Sequence, residues 1–152
     1  MNFEVKKTLD INLEQQKLIS TPLRSTIIYL LAERPMTAKQ VADEMGKTAG
    51  SIHYHIQQLY KGGILDIEKI QENRGIIEKY YRSKAINFQL KGVSDIGTHS
   101  RGSNLSLTDD ELKEFEDELD TLFLKFIQKT VKNEKNRTSY EINCLFKKLN
   151  GE

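Results

Sequence analysis

The sequence predicts a mainly α-helical fold with a small β-hairpin. Three observations lead there. Apolar residues recur at helical spacing over residues 22–61 and again over 112–131. From Leu65 to Arg82 the spacing shortens to two, with β-branched and aromatic residues on either side of Asn73-Arg74-Gly75. Between the hairpin and the last helical stretch, residues 92–106 are rich in Gly and Ser and poor in periodic apolar residues, as a linker is.

Taken in order, residues 1–13 are the least defined: Phe3, Val5, Leu9, Ile11 and Leu13 fit a short strand or an added helix. Ser20-Thr21-Pro22 opens a helix, since a proline in the first turn loses no hydrogen bond. Leu23, Ile27, Leu30 and Leu31 form its apolar face, and Glu33-Arg34-Pro35 ends it. Thr37-Ala38-Lys39-Gln40 is a capping box. Val41, Ala42 and Met45 face inward, and Gly46 closes the helix. After Gly46-Lys47-Thr48 a second helix is expected over about 49–61. It has Ile52, Ile56 and Leu59 inward, and Gly62-Gly63 ends it. Two strands follow about the Asn73-Arg74-Gly75 turn, and Ala85–Leu90 is a third strand-like piece. Beyond the linker, Thr108-Asp109-Asp110-Glu111 caps a long helix with acidic residues at its positive end. Thr138-Ser139-Tyr140-Glu141 opens a further short helix with Ile142, Leu145, Phe146 and Leu149 inward. The expected division is 1–91, a linker at 92–106, and 107–152.

Composition narrows the function. One cysteine, Cys144, excludes a disulfide-stapled secreted fold. There is no apolar run long enough to span a membrane and no basic-then-apolar start, so the expected compartment is the cytoplasm. The net charge of +1 hides an asymmetry. Residues 1–91 hold 14 Lys/Arg and 10 Asp/Glu, giving +4, and residues 92–152 hold 9 and 12, giving −3. A basic first part suits a polyanion. No nucleophile–base set, glycine-rich phosphate loop or paired metal motif stands out, so an enzyme is not expected.

Two short helices, a tight turn and a hairpin directly after them make a helix–turn–helix with a wing. On a helical wheel of about 100° per residue, Gly50, Tyr54, Gln57 and Lys61 lie opposite Ile52, Ile56 and Leu59, with Ser51, His53 and Gln58 on the shoulders. A small, polar face of this kind suits a helix entering the DNA major groove. Thr48 and Ser51 can bond phosphate or base near the helix N-terminus, and Gln57 can pair with adenine. Lys47 and Lys61 suit backbone phosphates, and Arg74 at the wing tip suits phosphates or the adjacent minor groove. No arginine lies on the reading face, which points to A·T-leaning or shape-based readout.

Leu18–Arg24, Thr37–Gly46, the Ser51-Ile52-His53-Tyr54-His55-Ile56-Gln57-Gln58-Leu59 helix and Gly63-Ile64-Leu65 together resemble the ArsR-type winged-helix transcriptional regulators. The resemblance is to the branch with a C-terminal helical extension, and covers roughly 15–90 well and 105–130 loosely. It implies a dimeric DNA-binding regulator whose second helix reads the operator. His53 and Tyr54 match base-facing positions, and His55 a position where the family usually has His. The Cys-x-Cys motif of the founding metal sensors is missing, so metal sensing is not implied at that site.

The steps from Leu112 through Phe115, Leu119 and Leu122 to Phe126 are 3, 4, 3 and 4, and Phe123 widens the stripe. Such a helix suits pairing with a second one, and the expectation is a C-terminal helical dimerisation element. The partners expected are therefore double-stranded DNA and a second copy, with no membrane and no cofactor. Two other readings stay open. One is a sensor binding a small-molecule effector or metal between the linker and C-terminal helices, His99 with Cys144 being one pairing. The other is a winged helix that binds protein.

Overall fold

The computed structural model describes residues 3–91, 101–132 and 135–150. Residues 1–106 and 107–152 form two compact units. The first runs β1 (Lys6–Ile11), α1 (Leu13–Ile19), α2 (Pro22–Glu33), α3 (Ala38–Met45), α4 (Ala49–Lys61), β2 (Leu65–Asn73), β3 (Ile76–Ser83) and β4 (Ala85–Leu90). The second holds α5 (Asp109–Lys132). Among the described residues no helix is long and apolar enough to cross a membrane.

Residues 3–13, ambiguous in sequence, divide into the end of one element and the start of another. Asn12 separates β1 from α1: its side chain accepts from the Gln15 backbone N–H at 2.9 Å, and Gln15 reaches back to the Asn12 N–H at 3.0 Å. This capping box is written in the sequence as Asn-x-x-Gln. Thr21 caps α2, with Pro22 in its first turn. The Thr37–Gln40 box caps α3, and Gly46 closes it at φ 64, a left-handed geometry in which glycine meets no Cβ penalty.

The core lies where α2, α3 and α4 meet the base of the hairpin. Ile27, Leu31, Val41, Ile52, Ile56, Leu59 and Ile64 are fully buried. Each large aliphatic side chain removed from water contributes about 1.5–3 kcal/mol before conformational entropy is set against it. Gly62 lets α1 close on the end of α4, because a Cβ there would meet the Leu18 side chain at 2.2 Å.

The hairpin corrects a simple alternation. Ile67 pairs with Tyr81 but Lys69 pairs with Tyr80, so Glu68 is an extra, bulged residue. The bulge puts Ile67 and Ile70 on one face, which strict period-two counting separates. Glu68 accepts from Arg82 Nη1 at 3.2 Å, while Arg82 Nη2 donates to the Ala32 and Glu33 carbonyls at 3.2 and 3.4 Å. The otherwise unpartnered carbonyls at the end of α2 are thereby tied to the wing. At the tip, Arg74 (φ 52) and Gly75 (φ 77) both have positive φ, the pattern of a type I′ turn matched to strand twist. The third strand-like piece, β4, pairs in parallel with β1, Leu9 opposite Phe88 and Ile11 opposite Leu90.

In the second unit the Thr108–Glu111 box is formed, at 2.8 and 3.1 Å. The short helix expected after Thr138 is not: residues 138–150 have no helix or strand. Ile142 and Leu145 are 66% and 89% exposed rather than inward. An isolated helix of about a dozen residues is marginal in water. Thr138, Ile142, Asn143 and Cys144 have only modest helix propensity. Without a buried face to dock, a capping box does not suffice. Of the expected linker, residues 92–100, including His99, lie outside the described residues, and 101–106 carry no helix or strand.

Candidate nucleic-acid interface

Helix α4 has two unlike sides. Ile52, Ile56 and Leu59 are at 0% exposure, and Lys47, Thr48, Ala49, Gly50, Ser51, His53, Tyr54 and Lys61 are exposed. The leading end is small and polar because it is also a cap. Thr48 Oγ1 accepts from the Ser51 N–H at 3.3 Å, leaving the Thr48 hydroxyl proton free to donate outward. A Cβ built at Gly50 would have nothing within 4 Å, so nothing inside the chain requires a glycine there.

Two side chains of α4 are tied inward. His55 is half-buried, and its Nδ1 accepts from Arg24 Nε at 3.1 Å. That bond places the ring proton of neutral His55 on Nε2. Arg24 also donates to the Leu18 carbonyl at 2.8 Å, so one guanidinium on α2 fixes the end of α1 and the middle of α4. Gln57, which the wheel sets on the open side, is half-buried instead. Its Nε2 donates to Tyr81 Oη at 2.8 Å, and the Tyr81 ring stands edge-on to Tyr60 at 6.0 Å. The wheel accounts for helix neighbours only, and here the Tyr81 side chain reaches from β3 to a second flank of α4. Arg24 and Tyr81, which hold the helix in place, were not singled out by sequence reasoning. Neither carries a local signal, because only the fold supplies its partner.

The wing extends beyond the core with Arg74 exposed at its tip. Ile70, Ile76 and Ile77 are 62%, 68% and 67% exposed around it. Farther down, Lys69 Nζ lies 4.7 Å from the Tyr80 ring centroid, and Tyr80 donates to Glu78 at 3.3 Å. Partial desolvation and then the Glu78 carboxylate push the Tyr80 phenol above its ordinary value. The structure thus brings Lys47, Thr48, Gly50, Ser51, His53 and Tyr54 together on one surface. Lys61 stands at the far end of the same helix, and Arg74 on the separate wing tip.

No group of three or more His, Cys, Asp or Glu able to hold a metal occurs among the described residues. His53 is exposed while His55 turns inward, and Cys144 is exposed. In the second unit, Leu112, Leu119 and Phe123 are half-buried, while Phe115, Leu122 and Phe126 are 42%, 49% and 54% exposed. Phe115 meets Phe146 edge-on at 5.6 Å.

Comparison with curated proteins gave no match. Among solved structures, the homodimeric winged helix-turn-helix DNA-binding domain of Mb0332 from Mycobacterium bovis is similar at 23% identity and TM-score 0.40. That alignment covers 46% of this chain and 60% of that one. A predicted DNA-binding transcriptional regulator from E. coli aligns at 22% identity and TM-score 0.39, over 47% and 70% of the two chains. The transcriptional repressor BigR from Xylella fastidiosa aligns at 20% and 0.38, over 46% and 64%. The family model described as bacterial regulatory protein, arsR family, matches residues 21–66. That segment runs from the cap of α2 through α3 and α4 to the second residue of β2. Through residues 21–66, less than half of its length, the chain is similar to the arsR family of bacterial regulatory proteins.

Proposed function

We propose that this regulator is a sequence-specific DNA-binding dimer that reads a pseudo-palindromic operator with α4 and acts as a repressor by occluding it. The observation that carries the reading is the two-sidedness of α4. Three fully buried side chains fix the helix, and the run Lys47–Ser51 with His53 and Tyr54 is presented to solvent. In this reading Thr48 and Ser51 bond phosphate or base at the leading end, and His53 and Tyr54 meet base edges. Lys47, Lys61 and Arg74 contact phosphates, Arg74 with the minor groove beside it. Gln57 gives one N–H to Tyr81 and keeps its Oε1 and second N–H for an adenine edge. Residues 1–91 serve as the DNA-binding domain and 92–106 as a linker. Residues 107–152 dimerise through Leu112, Phe115, Leu119, Leu122, Phe123 and Phe126. A two-fold dimer sets its reading helices about 34–36 Å apart.

The test is selection from random duplex DNA at about physiological salt. Recovery of an inverted repeat spaced near one helical turn supports the reading. Absence of enrichment over bulk competitor overturns it. On the selected site, Tyr54→Ala and Gln57→Ala are expected to weaken specific binding far more than non-specific binding, and Lys61→Ala to weaken both and flatten the salt slope.

A further inference from the structure

We infer that the open edge of β4 is a contact between copies of this chain, pairing antiparallel with the β4 of a second copy and centred on Phe88. The inference is separate from the reading that residues 107–152 dimerise, and neither needs the other. Its first support is an unfinished sheet. β1 and β4 form a two-stranded parallel sheet, and among the described residues no further strand pairs with either. Two strands are marginal on their own and need a third strand or packing against helices. Leu9, Ile11 and Phe88 do pack on the core, yet Ile86 stays 60% exposed. A strand paired along one edge also leaves a row of backbone N–H and C=O groups open along the other.

Charge distinguishes this strand from the others. β1 carries Lys6, Lys7 and Asp10, β2 carries Asp66, Glu68, Lys69 and Glu72, and β3 carries Glu78, Lys79 and Arg82. Charges of this kind keep a strand edge from pairing with another chain. β4, which reads Ala85-Ile86-Asn87-Phe88-Gln89-Leu90, has no charged residue and no proline. Among the described strands it alone lacks that guard.

The sequence of β4 identifies the occupant as a second copy. Read outward from Phe88, either direction gives an amide and then a branched aliphatic: Asn87 and Ile86 one way, Gln89 and Leu90 the other. A strand that reads the same both ways complements itself. β1 occupies one edge of β4, so two copies must present the same edge, and across a two-fold axis those edges run antiparallel. Centred on Phe88, Ile86 then stands opposite the partner's Leu90 and Asn87 opposite the partner's Gln89, each twice by symmetry. Phe88 meets the partner's Phe88. Side chains alternate along a strand, so the apolar pairs share one face and the amide pairs the other. Ile86, the most exposed apolar residue of the strand, is covered by the partner's Leu90. A slip of one residue sets Ile86 against the partner's Gln89 and Asn87 against the partner's Phe88, which loses the match on both faces.

The test is disulfide trapping in the full chain carrying Cys144→Ser, which removes the native exposed thiol. Chains with Ile86→Cys and chains with Leu90→Cys are oxidised separately and as an equal mixture. The mixture is expected to give at least tenfold more cross-linked dimer than either variant alone. In the antiparallel pair, residue 86 lies beside the partner's residue 90, while identical positions stand about 13 Å apart along the strand. Adding Asn87→Lys with Gln89→Lys sets like charges opposite each other and is expected to lower trapping at least tenfold. Asn87→Glu with Gln89→Lys sets opposite charges there and is expected to keep trapping within about threefold. Both pairs of changes lose the bond from Asn87 Nδ2 to the Lys7 carbonyl, so the comparison between them isolates the charge. Circular dichroism checks that every variant folds. Self-cross-linking as abundant as in the mixture, or trapping indifferent to the sign of charge at 87 and 89, overturns the pairing. Sedimentation equilibrium on the parent chain separates the two readings. A dimer that gives no 86–90 cross-link overturns the strand contact and leaves the dimerisation of residues 107–152 standing. A parent that stays monomeric and traps no dimer overturns both.

Discussion

Gly50 sits in the first turn of α4, and the space where its Cβ would lie is empty to 4 Å. Glycine costs a helix interior about 1 kcal/mol relative to alanine, and less in the first turn, where fewer backbone bonds depend on it. Gly50→Ala is therefore expected to stabilise the fold by roughly 0.3–1 kcal/mol. For a domain of this size that raises the melting temperature by about 2–6 °C. If α4 enters the groove by its leading end, the added methyl stands between backbone and DNA. A shift that loses one good contact costs about 1.4 kcal/mol or more, which is tenfold or more in affinity. Thermal unfolding by circular dichroism and fluorescence anisotropy on the selected operator read the two effects. They are expected to move in opposite directions. A variant that melts higher and binds as tightly as the parent refutes the placement of Gly50 against DNA. One that melts lower refutes the claim that the site is sterically open.

Three more outcomes follow from the wing and its attachments. Arg74→Asn puts a residue suited to positive φ at the first turn position. The hairpin is expected to gain a few tenths of a kcal/mol while operator affinity falls and the log–log salt slope loses about one unit; an unchanged slope shows that Arg74 touches no phosphate. Tyr81→Phe removes the acceptor of the Gln57 amide and is expected to cost about 1 kcal/mol in urea unfolding, since the amide is half-buried; a cost near zero means water replaces the bond. Arg82→Gln breaks the pair to Glu68 and the bonds to the Ala32 and Glu33 carbonyls. The expected loss is about 2–4 kcal/mol, larger than for reversal of the exposed Arg34–Glu44 pair, whose contribution is expected to lie at about 0–1 kcal/mol; equal losses contradict the burial argument.

Much of this fold was legible because its signals are local. Thr37 with Gln40, Thr21 with Pro22, and Gly46 each specify a helix end within four residues of themselves, and those ends stand where the sequence puts them. The spacing of Ile52, Ile56 and Leu59 likewise fixes which side of α4 is buried. What sequence reading missed depends on elements far apart in the chain. The bulge at Glu68 answers to Arg82 and the end of α2, and Gln57 turns inward because Tyr81 arrives from β3. The helix expected after Thr138 shows the converse, a local signal that the exposed Ile142 and Leu145 do not reinforce. The open face of α4 followed from periodicity. The side chains that brace it, Arg24 and Tyr81, did not, because their partners lie 31 and 24 residues away.

The parallel pairing of β1 with β4 also governs when this unit can be finished. Lys6 registers with Ala85 and Ile11 with Leu90, so the first strand made is matched to the last. At about 5–20 residues per second of synthesis, β1 waits some 4–16 s before its partner exists. The helices and the hairpin close over short separations and can form in that interval. Strand β1, with Leu9 and Ile11 ready to join a core, meanwhile keeps its backbone donors and acceptors open. Lys6, Lys7 and Asp10 put charge along that waiting edge, which keeps it from pairing with another nascent chain before its own β4 emerges.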